Sequence, residues 1–118
     1  LLKRGSKSCF LEVKSVTLCR QGNIAEFPDT VTLRGAKHLK ELAKTINNDT
    51  RATVLYLVQR SDCSNFKIAN DLDPNYAQET IFSQNSGVEF VCYGVNFLPN
   101  GIELGYKMDL ENDCSFLS

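Results

Sequence analysis

Five consecutive apolar residues, Val54-Leu55-Tyr56-Leu57-Val58, constrain the fold of this chain more than any other stretch. Between Arg51 and Gln59 the run has the length of a strand, and its β-branched and aromatic residues suit one. Lacking polar alternation, it is predicted to be a central strand buried on both faces, as in parallel sheets. Parallel pairing needs a crossover, and the preceding residues offer one. From Leu33 to about Ile46, the residues Ala36, Leu39, Leu42, Ala43 and Ile46 recur at helical spacing, and Thr32 stands where a cap belongs. Ahead of that helix, Cys9 to Leu18 reads as a strand. Strand, helix and strand make a βαβ unit, so the two strands are expected to lie parallel, joined by a right-handed crossover.

The remaining elements are read around this unit. Leu1 to Lys7 is the end of a strand entering a hairpin turn at Gly5, and with no methionine ahead of it the chain is expected to come from something longer. Gln21-Gly22-Asn23 is a turn, and Ile24 to Phe27 is a short extended piece ended by Pro28. After Asp62 a loop is expected to continue to Asn70. Asp73-Pro74 joins a capping carboxylate to a proline at the first helical position, opening a helix from Asn75 to about Asn85 that stops before Gly87. Val88 to Phe97 is a strand, Pro99-Asn100-Gly101 a turn and Ile102 to Leu104 a last short strand. The tail after Met108 is expected to be loosely ordered. All 118 residues then read as one α/β domain, a mixed sheet flanked by helices.

Thirteen Lys and Arg against fourteen Asp and Glu leave a net charge of -1. That is a weak electrostatic footprint for nucleic acid, so DNA binding would be weak, salt-sensitive and confined to a local basic face. No apolar run approaches the roughly 20 residues of a membrane span, and no signal peptide opens the chain, so no membrane association is expected. The five cysteines are odd in number and lack C-x-x-C spacing, and Cys9 and Cys92 fall inside strands. Free thiols and a cytoplasmic location are the expectation.

Candidate chemistry is concentrated on the first strand of the unit. In an extended strand Glu12 and Lys14 project from one face and Val13 from the other. Charges inside an apolar strand are costly unless they are paired or functional. One reading makes Glu12 a ligand for Mg2+ or Mn2+, and Lys14 the group that orients an attacking water and offsets phosphate charge. The other makes them an ion pair on a solvated strand face. Arg34, Lys37 and His38, near the helix start, are either phosphate contacts or its solvated face, with a general-base role for His38 as a further option. Gln59 and Arg60 end the central strand on the edge where α/β proteins place ligands, as contacts to nucleic acid or as a strand-end cap. Asp29 is a turn residue or a carboxylate near the site, and Asp73 is a helix cap.

Several ordered motifs resemble one family. Glu12-Val13-Lys14-Ser15-Val16-Thr17-Leu18, Phe27-Pro28-Asp29 and Thr32-x-Arg34-Gly35-x-Lys37-His38-Leu39-x-Glu41-Leu42 are similar to the bacterial sugar fermentation stimulation protein A family. Val58-Gln59-Arg60, Phe66, Asp73-Pro74-x-Tyr76-Ala77 and Gly87-Val88-Glu89 continue the resemblance in the same order, up to about Leu104. It implies a PD-(D/E)XK restriction-endonuclease-like domain, the C-terminal part of a protein whose N-terminal part is an OB-type barrel. It also implies DNA binding with little sequence preference and a role in regulating sugar (maltose) metabolism genes. In the nuclease pattern a strand aspartate and a following Glu-x-Lys hold the metal and the attacking water. Glu12 and Lys14 match the Glu-x-Lys, and the aspartate, in a Ser-Arg-x-Asp-Phe segment of the family, would precede Leu1. Two other functions stand beside DNA binding. One is a metal-dependent nuclease or phosphodiesterase acting on DNA or RNA; the other is a non-catalytic regulatory module that binds a protein or a metabolite.

Overall fold

The predicted βαβ unit is present in the computed structural model, which describes residues 2–5 and 7–110. In chain order the elements are β1 (Leu2–Arg4), β2 (Lys7–Val16), β3 (Leu18–Gln21), β4 (Ile24–Phe27), α1 (Leu33–Thr45), β5 (Thr50–Val58) and β6 (Asn65–Ile68). Helix α2 (Pro74–Asn85) and strands β7 (Glu89–Leu98), β8 (Gly101–Lys107) and β9 (Asp109–Leu110) complete them. They form a five-stranded sheet ordered β1-β2-β5-β7-β8 and a four-stranded sheet ordered β3-β4-β6-β9. In the larger, mixed sheet β2, β5 and β7 run parallel, flanked by antiparallel β1 and β8.

Register decides which residues share a face. Glu12 pairs with Val54, which pairs with Phe90, and Lys14 pairs with Tyr56, which pairs with Cys92. Adjacent partners point the same way, so Glu12 and Lys14 share the inner face with buried Val54, Tyr56 and Val58. Both helices and the smaller sheet lie on that face. Ala36 and Leu39 of α1 are buried in the same core, and Tyr76 of α2 brings its hydroxyl to 2.7 Å from that of Tyr56. Phe66 of β6 and Phe27 of β4 place their ring centroids 4.6 and 5.5 Å from Tyr56. Burial raises the titration of both tyrosine hydroxyls well above the ordinary value, so each stays protonated.

The two helices start side by side. Thr32 caps α1 by accepting the Gly35 N–H. Buried Asp73 caps α2 by accepting the Tyr76 N–H at 3.1 Å, and it also accepts the Thr32 N–H at 2.8 Å. One carboxylate therefore fixes both helix starts, and both predicted caps are in place. Gly35 permits the approach, since a Cβ there would stand 2.9 Å from Thr32 Cγ2 and 3.2 Å from the Tyr76 ring.

The smaller sheet is braced by Arg20 of β3. Its guanidinium donates to buried Glu26 at 2.6 and 3.0 Å and to Asp71 at 2.8 Å twice. The hydrogen bonds from Arg20 draw the Asp71 carboxyl down from 3.8 to about 2. A carboxyl depressed in this way stabilises the fold above its unfolded value, and the contribution disappears as pH falls towards about 2. Urea midpoints are expected to fall between about pH 4 and about pH 2, and Asp71→Asn should flatten that fall. Because Asp71 is 66% exposed, added salt should weaken the effect. An unchanged pH slope in the variant would count against the brace.

Four expectations are corrected. The strand predicted from Cys9 to Leu18 is two strands: β2 ends at Val16, and after Thr17 the chain enters the smaller sheet, where β3 pairs with β4. The loop predicted to reach Asn70 contains β6, four alternating residues that are too few to show a period by themselves. The last predicted strand runs to Lys107, not Leu104; buried Met108 then leads into β9, so the predicted loose tail begins no earlier than residue 111. Its remainder, 111–118, lies outside the described residues. Finally, β5 is buried on one face only: Val54, Tyr56 and Val58 are inaccessible, but Leu55 and Leu57 are half-buried. The reason is that both helices pack on the inner face. Among the described residues, no helix is long and apolar enough to cross a membrane.

Candidate functional site

Glu12 and Lys14 stand on the inner face of β2, with Lys14 Nζ 3.2 Å from Glu12 Oε1. This is not a solvated strand face. The Lys14 side chain is 16% exposed and that of Glu12 33%. Sequestering such charges has a desolvation cost that pairing only partly offsets.

Helix α1 supplies a third group. His38, in its second turn, places Nδ1 3.3 Å from the same Glu12 oxygen. The approach lacks hydrogen-bond geometry, and Nδ1 is shielded from solvent, so this nitrogen is buried without a hydrogen-bond partner. A buried polar atom left unsatisfied costs about 1–3 kcal/mol. Stability alone does not account for such an arrangement.

Between β2 and α1 these groups meet a cleft of about 320 Å³ lined by Phe10, Glu12, His38, Glu41, Leu42 and Thr45. Residues three and four apart share a helix stripe, which is why His38, Glu41, Leu42 and Thr45 face the cleft together. Tyr76, buried in the core, senses the charge of Glu12. Burial is the main cause of its raised titration; the bond to Tyr56 opposes the rise, and the charges of Glu12 and Asp73 add to it.

The other sequence candidates are distributed around this centre. Arg34 lies one turn before His38 on nearly the same stripe, and Lys37 is offset from His38 by about 100° and flanks the cleft. Both are exposed and have no ion-pair partner among the described residues. Gln59 and Arg60 are elsewhere. Glu12 is level with Val54, so Gln59 lies roughly 16 Å further on, at about 3.3 Å per residue. The Gln59 N–H donates to the Val16 carbonyl at 2.8 Å. Arg60 is committed to Asp62 at 2.7 and 2.8 Å and donates to the Thr17 carbonyl at 3.2 Å. Those bonds hold the Asp62 carboxyl below the usual carboxylate range. Asp29 is exposed in the bend ahead of α1. Sequence reasoning did not single out Glu41, whose signal was its place three residues after His38 on a helix already delimited.

Glu12 offers the hard oxygen donor that Mg2+, Mn2+ or Ca2+ favours. Among the described residues, however, no group of three or more His, Cys, Asp or Glu side chains is placed to hold a metal ion. The donor type fits a divalent cation; the number of protein donors fits only if water and substrate oxygens complete the shell.

A mixed sheet built on a βαβ unit, with a Glu-x-Lys strand against the crossover helix, defines a restriction-endonuclease-like (RE) domain. The chain belongs to the sugar fermentation stimulation protein family, whose RE-domain profile matches residues 1–101. A sugar fermentation stimulation protein homolog from Roseobacter denitrificans is 52% identical over 104 residues, which cover 88% of this chain and 44% of the homolog. One from Ruegeria sp. (strain TM1040) is 52% identical over 97 residues, covering 82% of this chain and 42% of the homolog. The solved structure of Pyrococcus furiosus SfsA in complex with Ca2+ is similar with a TM-score of 0.77 at 31% identity, covering 87% of this chain and 45% of that one. The chain therefore spans less than half the length of these relatives. The family and the fold expected from the motifs are both borne out.

Proposed function

We propose that this chain is the DNA-binding, nuclease-like half of a cytoplasmic sugar fermentation stimulation protein, with Glu12 as a ligand of a divalent cation. The observation that carries this reading is the Glu12 carboxylate, held by Lys14 at the wall of a cleft beside an unbonded, buried His38 nitrogen. The Ca2+ complex of the P. furiosus relative supports a divalent cation in this family. Mg2+ or Mn2+ would supply charge neutralisation and a more acidic bound water. Glu12 would hold it together with water, phosphate oxygens and the family's strand aspartate. Lys14 orients Glu12 and places positive charge beside the phosphate. Arg34 and Lys37 take backbone phosphates at the flank of the cleft, and His38 forms its helical wall. With a net charge of -1 and few such contacts, binding is weak and falls steeply with salt.

The test uses a full-length family member with plasmid and single-stranded DNA, in Mg2+ or Mn2+ and in EDTA. Metal-dependent cleavage is expected to fall on the order of 100-fold or more in Glu12→Ala and in Lys14→Ala, made at the equivalent positions. Cleavage that survives either substitution removes that residue from the mechanism. A second reading, a non-catalytic DNA-binding regulator of sugar (maltose) genes, is favoured by the scarcity of metal-binding side chains among the described residues. DNA binding without cleavage, indifferent to added metal, would select it.

A further inference from the structure

Two thiols outside the Glu12 cleft meet beside the turn at Gly22. Cys19 of β3 donates its thiol to the Gly22 carbonyl at 3.3 Å, so its sulfur lies against that turn. The connection from β5 to β6, which carries Cys63, is tied to the same place. The N–H groups of Ser64 and Asn65 donate to the Asn23 carbonyl at 2.9 and 3.3 Å, and Asn23 Nδ2 donates to the Ser64 hydroxyl at 2.6 Å. On the other side of Cys63, Arg60 Nη1 donates to the Thr17 carbonyl at 3.2 Å. Cys63 is therefore held between two ties to the segment that carries Cys19. It is buried in the core, and half-buried Cys19 packs against that core. The Tyr106 hydroxyl, donating to the Cys63 carbonyl, holds the backbone there from a third element.

The electrostatics agree with this placement. Burial is the main cause that pushes the Cys63 thiol up to about 12, and a hydrogen bond with the Cys19 thiol is the next. That bond sets the two sulfur atoms side by side. The titration of Arg60, raised chiefly by its hydrogen bond to Asp62, is raised further by the charges of both cysteines, so the guanidinium stands beside the pair. A cation in this position offsets the charge of a reacting thiolate.

We propose that Cys19 and Cys63 form a reversible thiol–disulfide site, oxidised by a peroxide and restored by a dithiol reductant. Both are free thiols in this structure. Cys19 is the one that solvent reaches, so its sulfur attacks the peroxide. A sulfur–oxygen bond forms, the O–O bond breaks, and water or an alcohol leaves with the Cys19 proton. The Cys63 sulfur then attacks the sulfenic sulfur, forming the S–S bond and releasing the oxygen as water with the Cys63 proton. In all, two thiols lose two electrons and the peroxide gains them. Thiol–disulfide exchange with a dithiol reverses the change. The new bond closes a loop that contains β4, α1 and β5, and it stabilises the fold by restricting the unfolded chain. None of this depends on what Glu12 binds.

Peptide mapping tests it. The reduced 118-residue chain is exposed to hydrogen peroxide, remaining thiols are blocked with a maleimide, and linked peptides are identified by mass spectrometry. A parallel sample is oxidised in urea. In the folded sample the Cys19–Cys63 link should exceed any other pair by about 10-fold or more, whereas in urea short loops close first and Cys9–Cys19 should lead. The oxidised chain should unfold at a urea midpoint about 1 M above that of the reduced chain, and dithiothreitol should cancel the difference. Cys63→Ser should abolish the link and leave Cys19 as a sulfenic acid that a cyclic 1,3-diketone captures. Cys63→Ala makes the same test without burying a hydroxyl, and Cys19→Ser should leave Cys63 unoxidised. The absence of the link, a majority of other pairs (those of Cys114 included), or the same distribution in folded and urea samples overturns the proposal. Oxidation of Cys19 that a dithiol does not reverse overturns it as well.

Discussion

Tyr56→Ala is expected to lower stability by about 3–5 kcal/mol, the usual cost of emptying a buried aromatic site. Tyr56 has no exposed surface, and its ring is met by Phe27, Phe66 and Phe90 from three other strands. Those neighbours sit on separately anchored elements, so the cavity cannot close by the movement of one of them. Tyr56→Phe keeps the ring and removes only the hydroxyl, leaving that of Tyr76 without its 2.7 Å partner. Its cost should be nearer about 1–3 kcal/mol. Urea unfolding of the two variants checks the ordering. A Tyr56→Ala cost below about 1.5 kcal/mol would mean that sheet, helix and smaller sheet do not depend on this contact.

Asp73→Ala should cost about 2–4 kcal/mol, the sum of a lost helix cap and a second, part-buried donor left without an acceptor. The two donors are the Tyr76 N–H, which opens α2, and the Thr32 N–H, which precedes α1. Because His38 rides on α1, the substitution should also disturb the cleft, although Asp73 does not line it. Asp73→Asn retains one acceptor oxygen and should recover part of the loss. Comparable urea midpoints for Asp73→Ala and the parent chain would show that neither helix start relies on this carboxylate.

Much of this architecture was legible in the residues because its cues are local. Thr32 and Asp73 announce helix starts through capping chemistry, and Gly5 and Gly22 mark turns at which φ is positive, 64° and 52°. The parallel pairing of β2 with β5 follows from handedness once the crossover helix is delimited. What stayed hidden was non-local. Nothing in Ser15-Val16-Thr17-Leu18 announces that the chain changes sheets, because both sides of Thr17 satisfy the same strand pattern. Likewise the run at Val54–Val58 shows that both faces of β5 are apolar, but only its neighbours decide which face is covered. At the site, the i, i+2 spacing correctly placed Glu12 and Lys14 on one face. It could not show that His38, on another element, would approach the same oxygen. Nor could it show that Arg60, which has the right charge, would be consumed by Asp62 two residues away.

The pairing of Glu12 with Lys14 bears on how the site residues should be studied. Both side chains are held on the inner face of β2, 16% and 33% exposed for Lys14 and Glu12. Truncating one partner leaves the other charge partly sequestered with nothing to offset it, which destabilises the fold by itself. A loss of activity in Glu12→Ala or Lys14→Ala therefore identifies a mechanism only when the variant is shown to be as fully folded as the parent chain.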